Sequence, residues 1–268
     1  MRILSVKYSD NPVRLKRHYH DGHQILYVAS GAVTVIIDGE AHRVEAGSLV
    51  ILSRFEEHSI QVEAGEYRRY TLRISSEASA KFAEDYLLSS VLVNRSSRFR
   101  HVVDVRDMRN KFEGLLSDMV LEFGKEGAMR EEMLDLYLKQ FFILLYRCAP
   151  DIFLSAVNRN TMLVREVQSR MERECGQPFS LAKLASELHV SASYFSHLFK
   201  DVTGYAPIEY LMLCRISSAK RYLCETDLSV RELVERCGFG DESNFSRTFK
   251  AKTSMTPTAF RQKFRREP

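Results

Sequence analysis

The sequence predicts an α+β protein: a small N-terminal β-barrel or jelly roll followed by a helical hairpin, then a C-terminal all-α domain built from two helix-turn-helix units. Three observations carry this. Short apolar runs separated by glycine-bearing turns recur at roughly eight- to twelve-residue intervals up to Ile74. Two long amphipathic segments lie between Val103 and Arg147. The chain then repeats itself: Tyr194-Phe195-Ser196-His197-Leu198-Phe199-Lys200 returns fifty positions later as Asn244-Phe245-Ser246-Arg247-Thr248-Phe249-Lys250, and Thr203 and Pro207 return as Thr253 and Pro257.

The strands come first. Gln24 to Ala29 is an apolar run that turns at Ser30-Gly31, Val33 to Ile37 follows, and Asp38-Gly39 is a tight hairpin turn. His42 to Val44 leads through Ala46-Gly47 to the buried run Leu49 to Leu52; Ser59 to Val62 is another strand, and Tyr67 to Ile74 alternates. A short helical piece is expected around Glu77 to Leu88. Val103 to Phe123, carrying Met108, Phe112, Leu115, Leu116, Met119 and Val120, forms one long helix. After Gly124 and Gly127 a second runs from Arg130 to Arg147, with Met133, Leu136, Tyr137, Phe141, Leu144 and Leu145. These faces are wide enough to cover the β-domain and to meet a second copy of the chain. At 268 residues the chain has room for two domains. The boundaries expected are 1–98 for the β-domain, 99–150 for the hairpin, 151–160 for a linker and 161–268 for the helical domain.

In the first repeat unit Ser180 starts a helix whose Leu181, Leu184, Ala185 and Leu188 share a face, and His189-Val190 interrupts before Ser191 caps the next. That second helix buries Phe195, Leu198 and Phe199 and stops near Gly204, leaving Ser193, Ser196, His197 and Lys200 outward. In the second unit Ser229 and Glu232 form a capping box, Leu233 and Val234 begin the buried stripe, and Gly238 turns the chain. Asp241 caps a helix that buries Phe245 and Phe249, with Glu242, Ser243, Ser246, Arg247 and Lys250 outward. Thr256-Pro257 opens a last helix whose Phe260 and Phe264 are expected to close the core. Ser180 and Leu184 match Ser229 and Leu233 at forty-nine positions, so one residue is inserted between the halves of the second unit, where a loop tolerates it. Ile208 to Glu225 contains neither glycine nor proline and predicts one long helix holding the two units at a fixed separation. Such a pair suits two successive major-groove faces of one duplex, roughly 34 Å apart.

The order Arg215-Ile216, Ala219, Leu223, Gly238-Phe239, Asn244-Phe245, Phe249-Lys250, Thr253 and Thr256-Pro257 resembles the signature of the AraC/XylS family of bacterial transcription regulators, over about 110 residues from Asn158. The resemblance implies a seven-helix DNA-binding domain. It places base contacts at Ser193, Ser196 and His197 in the first unit and at Glu242, Ser243, Ser246 and Arg247 in the second. An outward arginine such as Arg247 can grip guanine O6 and N7, whereas Lys200 and Lys250 are better placed for phosphate, which positions without reading sequence.

The N-terminal part is similar to the cupin-type sensing domain commonly fused to this family. His18-Tyr19-His20, Gln24, Gly31, Gly47 and His58 stand where cupin motifs place their histidines, glutamate and glycines. It departs from that pattern in having Gln24 for the usual carboxylate and Arg54-Phe55 where a proline is common. Histidines at i and i+2 on a strand point the same way, so His18, His20 and His58, with His23 or Gln24 as a fourth, have the spacing of a metal site. Without the carboxylate the site lacks anionic charge. The reading adopted is that His18, His20, His23, Gln24 and His58 line an effector pocket, with no metal and no cofactor; a histidine-rich surface turn is the alternative. The competing class is a metal-dependent cupin enzyme with a regulatory tail, which the missing carboxylate opposes.

Charge agrees with the division of labour. Of 39 Lys+Arg and 35 Asp+Glu, the part from Ala156 onward holds 18 basic and 13 acidic residues, so the excess positive charge lies wholly there. Arg261, Lys263, Arg265 and Arg266 add a local basic patch. Phe141 to Tyr146, bracketed by Lys139 and Arg147, is far short of the roughly 20 apolar residues of a membrane span, and no signal peptide opens the chain. Five cysteines without paired spacing form neither a disulfide framework nor a zinc motif. The expectation is a cytoplasmic, one-component regulator and not an enzyme. Its partners would be double-stranded DNA, a small-molecule effector, RNA polymerase and a second copy of itself.

Overall fold

The computed structural model describes residues 3–10, 15–18, 22–37, 39–62, 66–75, 86–93, 99–153, 159–253 and 255–264. The chain divides into two compact units, Met1–Val157 and Asn158–Pro268.

The first unit is a sandwich of two sheets. One has the strand order β1 (Ile3–Ser9), β8 (Arg68–Ile74), β3 (His23–Ser30), β6 (Ser48–Leu52), β9 (Val102–Asp104); the other runs β2 (Leu15–His18), β7 (His58–Val62), β4 (Ala32–Ile37), β5 (Glu40–Glu45). The two do not join into a closed barrel among the described residues, so the expected β-barrel is an open two-sheet sandwich. Strand alternation decides what each side chain meets. On β3, Leu26 and Val28 point between the sheets, where Val33, Val35, Ile37, Val44, Val50, Leu52 and Ile60 join them. Ile25, Tyr27 and Ala29 point the other way, into a core shared with the helices. Both faces of β3 and β6 are therefore buried, and both strands read as continuous apolar runs. Only one face of β4 is buried, and it alternates.

The helices differ from expectation at their ends. The piece expected from Glu77 to Leu88 is α1, Tyr86–Val93; its earlier part lies outside the described residues. The long helix expected from Val103 begins only at Arg109, as α2 (Arg109–Phe123). Val102–Asp104 is instead the edge strand β9, pairing Leu49 with Val103, and a 3₁₀ turn over Arg106–Met108 joins the two. Three residues are too few to display a strand period beside a fifteen-residue helical pattern. α3 spans Arg130–Cys148 and buries Leu134, Leu138, Phe141, Phe142, Leu144 and Leu145. Met133 and Leu136, expected in its buried stripe, are exposed because the inward face is rotated by about one residue. α2 is tied to the sheet by Tyr27 OH donating to Glu113 Oε1 (3.0 Å) and by Arg109 Nη2 donating to the Ala29 carbonyl (2.7 Å).

Gly31 ends β3 at φ +80°, and a Cβ there would lie 1.9 Å from the Glu66 carbonyl oxygen. Gly31→Ala is expected to cost about 2 kcal/mol or more, from left-handed strain plus overpacking. Gly39→Ala, also at positive φ but with nothing within 4 Å, should cost only the strain, about 1 kcal/mol. Urea unfolding midpoints of the two variants check the difference.

The second unit has seven helices among its described residues: α4 (Arg159–Arg173), α5 (Leu181–Glu187), α6 (Ala192–Thr203), α7 (Pro207–Glu225), α8 (Val230–Arg236), α9 (Glu242–Thr253) and α10 (Pro257–Phe264). α5–α6 and α8–α9 are the two helix-turn-helix pairs. α7 is the connector, 19 residues long, or about 28 Å. It is buried on more than one stripe, through Leu211, Leu213, Cys214, Ile216, Ser217, Ala219 and Leu223, because α4, α6 and α10 all pack on it. Phe195 and Phe199 are fully buried, as are Phe245 and Phe249. Leu198 is only half-buried, and Phe264 is 44 % exposed. Phe264 does not close the core: it packs at a tilt against Phe260 at 4.6 Å, while Phe260 itself meets Phe249 edge-on at 5.4 Å.

Candidate nucleic-acid interface and ligand pocket

Both second helices of the pairs are fixed at their ends by side chains the repeat preserves. Ser191 Oγ accepts from Tyr194 N (3.1 Å) and Asp241 Oδ1 from Asn244 N (2.7 Å), each filling one of the donors a helix start leaves open. At the other ends Thr203 Oγ1 donates to the Phe199 carbonyl and accepts from Tyr205 N; Thr253 Oγ1 does the same with Phe249 and Met255. The first helices are capped by Ser180 and by the full Ser229–Glu232 capping box.

With the phenylalanines inward, the opposite faces are polar. Ser193, His197 and Lys200 are exposed on α6 and Ser196 is half-buried; on α9 Glu242, Ser243, Arg247 and Lys250 are exposed and Ser246 is half-buried. Arg247 Nη2 donates to Asn244 Oδ1 (3.4 Å), which also accepts from Thr248 Oγ1 (3.4 Å). Asn244 was not singled out in the sequence as an outward residue, although its i, i+3 spacing to Arg247 is the signal that two helical side chains meet. Arg261 does not belong to a free basic patch: its Nη2 donates to the Leu228 carbonyl and anchors α10. Arg265 and Arg266 lie outside the described residues.

In the sandwich the histidines separate. His18 and His58 face each other across the β2–β7 pair with ring centroids 4.4 Å apart. Gln24 shares the parity of Leu26, and His58 that of Ile60, so both point between the sheets. Arg73, paired with Gln24 on β8, does too. His23 is turned to the opposite face, where its Nδ1 accepts from Arg54 N (3.3 Å), so it does not join the cluster. His20 lies outside the described residues. One end of an otherwise apolar interior thus carries a polar layer of His18, Gln24, His58 and Arg73. Arg73 escaped the sequence reading because only strand register brings it beside Gln24. His58 Nδ1 lies 3.0 Å from the Glu56 carbonyl, which can only accept, so Nδ1 carries the hydrogen. Burial, aided by the positive neighbours His18 and Arg73 against the pull of Glu56, lowers the His58 pKa to about 4, so the ring is neutral at ordinary pH. Among the described residues no group of three or more His, Cys, Asp or Glu is arranged to hold a metal ion, and no helix is long and apolar enough to cross a membrane. All five cysteines are free thiols.

A sandwich whose apolar interior carries a polar layer at one end, followed by paired helix-turn-helix units on one connector, defines a DNA-binding regulator with its own ligand-binding domain. Residues 6–142 match the model of the AraC-like ligand binding domain, and residues 184–263 match a helix-turn-helix domain. The chain belongs to the AraC family of transcription regulators. It is 24 % identical over 257 residues to the HTH-type transcriptional activator RhaS of Salmonella arizonae and 24 % over 255 residues to that of Enterobacter sp., covering 91 % of this chain and 87 % of each relative. ToxT of Vibrio cholerae, solved with an unsaturated fatty acid bound, shares the fold with a TM-score of 0.64 at 12 % identity, covering 98 % of this chain and 96 % of that one.

Proposed function

We propose that the chain reads promoter DNA through the outer faces of α6 and α9 and is controlled by an organic effector held at the polar end of the sandwich. The observation that carries the DNA reading is the duplication itself: two capped helices each bury their aromatics and leave a polar face outward at equivalent positions. Arg247, steered by Asn244, takes a guanine; Ser193, Ser196, His197, Glu242, Ser243 and Ser246 touch base edges; Lys200 and Lys250 hold phosphate. His18, Gln24 and His58 line the effector pocket, with Arg73 added to the set; His20 is retained on its spacing alone. The unsaturated fatty acid in ToxT supports an organic ligand for this fold.

The exposed apolar side chains Leu121, Met133 and Leu136 on the α2–α3 hairpin support a homodimer formed through that face. By analogy with RhaS, a transcriptional activator, the regulator activates transcription; its own sequence is the basis for placing it in the cytoplasm, with RNA polymerase as a partner and no enzymatic activity. Sensing and DNA-reading functions divide near the boundary between 150 and 161.

Arg247→Ala tests the interface. Selection of bound duplexes from random DNA should show preference relaxed at one or two base pairs, equivalent to about 1–3 kcal/mol of discrimination, with the fold unchanged. An identical selected motif for the variant removes Arg247 from base reading.

A further inference from the structure

The two helix-turn-helix turns have the same backbone but different residues at their left-handed position. His189 (φ +55°) and Gly238 (φ +75°) each follow a short helix, and the next residues close alike: Val190 N donates to Ala185 O at 3.0 Å, Phe239 N to Val234 O at 2.9 Å. Since His189 holds the conformation, the backbone angle alone does not demand glycine at 238. The surroundings do. A Cβ on Gly238 would lie 2.7 Å from the Gly176 carbonyl oxygen and 3.0 Å from Arg215 Nη2, and a Cβ on Gly176 would lie 2.2 Å from the Arg236 carbonyl oxygen. Two backbones therefore meet through paired glycines, at the loop after α4 and at the turn of the second unit. Arg215, on the connector α7, clamps the loop: its Nε donates to the Cys175 carbonyl (2.8 Å) and its Nη2 to the Gln177 carbonyl (3.2 Å). On the far side, Phe239 packs edge-on against Phe245 of α9 at 5.0 Å. α4 packs against α6, so a continuous path of contacts runs from one outward-facing helix to the other.

We propose that the Gly176–Gly238 contact, held by the Arg215 fork, is the joint that fixes α9 relative to α4 and α6, making Arg215 and Gly238 positioning residues for simultaneous occupation of two DNA half-sites. The inference rests on the DNA-binding reading above. A rigid link makes the second binding event intramolecular, and that advantage disappears when the geometry no longer allows both modules to engage. Lysine at 215 keeps the charge but lacks the planar fork that reaches two carbonyls at once. The first unit carries His189 at the equivalent left-handed turn position, so its turn accommodates a side chain where the second unit has Gly238.

Full-length wild type, Arg215→Lys, Gly238→Ala and the control His189→Gly are titrated onto a selected duplex, with hydroxyl-radical footprinting to follow each protected segment. Wild type and His189→Gly should fill two segments at one concentration. Arg215→Lys and Gly238→Ala should bind about tenfold or more weakly, with the two segments filling at separate concentrations. Circular dichroism identifies any variant that does not fold, and the other variant then carries the test. Segments that still fill together in a folded variant overturn the joint. A wild type that protects no duplex at low salt overturns the DNA-binding reading itself.

Discussion

Phe199→Ala should destabilise the second unit by about 3–5 kcal/mol, the cost of removing a buried aromatic and leaving a cavity. Phe199 has no solvent-exposed surface, lies 5.8 Å from the Phe195 ring and meets Tyr210 of the connector edge-on at 5.5 Å. Its loss therefore loosens α6 from α7, the helix on which the spacing of the two units depends. Lys200, one residue along, sits on the exposed face of the same helix, and Lys200→Ala should stay within about 0.5 kcal/mol of wild type. Thermal and urea unfolding followed by helical circular dichroism compare the two. A mild effect of Phe199→Ala, comparable to that of Lys200→Ala, would mean that the inward and outward faces of α6 have been exchanged, and the proposed base contacts would go with them.

This contrast was legible in the sequence because helix faces and caps are local. Ser191 sits three residues before Tyr194, Asp241 three before Asn244, and Ser229 three before Glu232, and each closes the hydrogen bond its spacing predicts. The phenylalanines at i and i+4 fall on one side whatever surrounds them. Local period has less to say where a segment is short or its partner is distant. Val102–Asp104 pairs with β6, more than fifty positions earlier, and its three residues were absorbed into the pattern of the helix that follows. The exposed Met133 and Leu136 show the same limit in a helix: hydrophobic character marks a stripe only to within about a residue, and packing selects the face. In the sandwich, adjacent His23 and Gln24 point to opposite faces of one sheet, and Arg73 reaches the polar layer only through the β3–β8 register. The sequence likewise shows a glycine at turn position 238, where the first copy has His189, but not that its reason is Gly176, sixty-two positions earlier.

The polar layer of the sandwich should make stability depend on pH in one window. His58 is buried in the folded chain with its pKa lowered to about 4 from an ordinary 6.5. Above 6.5 the ring is neutral folded or unfolded, and it contributes no slope. Between 6.5 and 4 the unfolded chain binds a proton that the folded chain does not, so stability falls as pH falls, by about 3 kcal/mol across the window. Below 4 both states are protonated and the slope ends. His58→Asn is the informative variant, because the amide nitrogen occupies the Nδ1 position and can still donate to the Glu56 carbonyl while carrying no titrating group. Carboxylates elsewhere titrate in the same range, but they act alike on both proteins and cancel in the difference between them. Urea unfolding of wild type and His58→Asn at half-unit steps from pH 4 to pH 7, followed in the β-sheet region of the circular dichroism spectrum, should give curves that run parallel above 6.5 and converge or cross on acidification, as wild type loses stability that the variant keeps. Parallel curves throughout would mean that His58 takes up its proton in the folded sandwich as readily as in water, which would require solvent or an anionic group to reach the ring. An effector that hydrogen-bonds neutral His58 would then lose that partner as pH falls through about 6.5 rather than about 4, and its affinity would share that pH dependence.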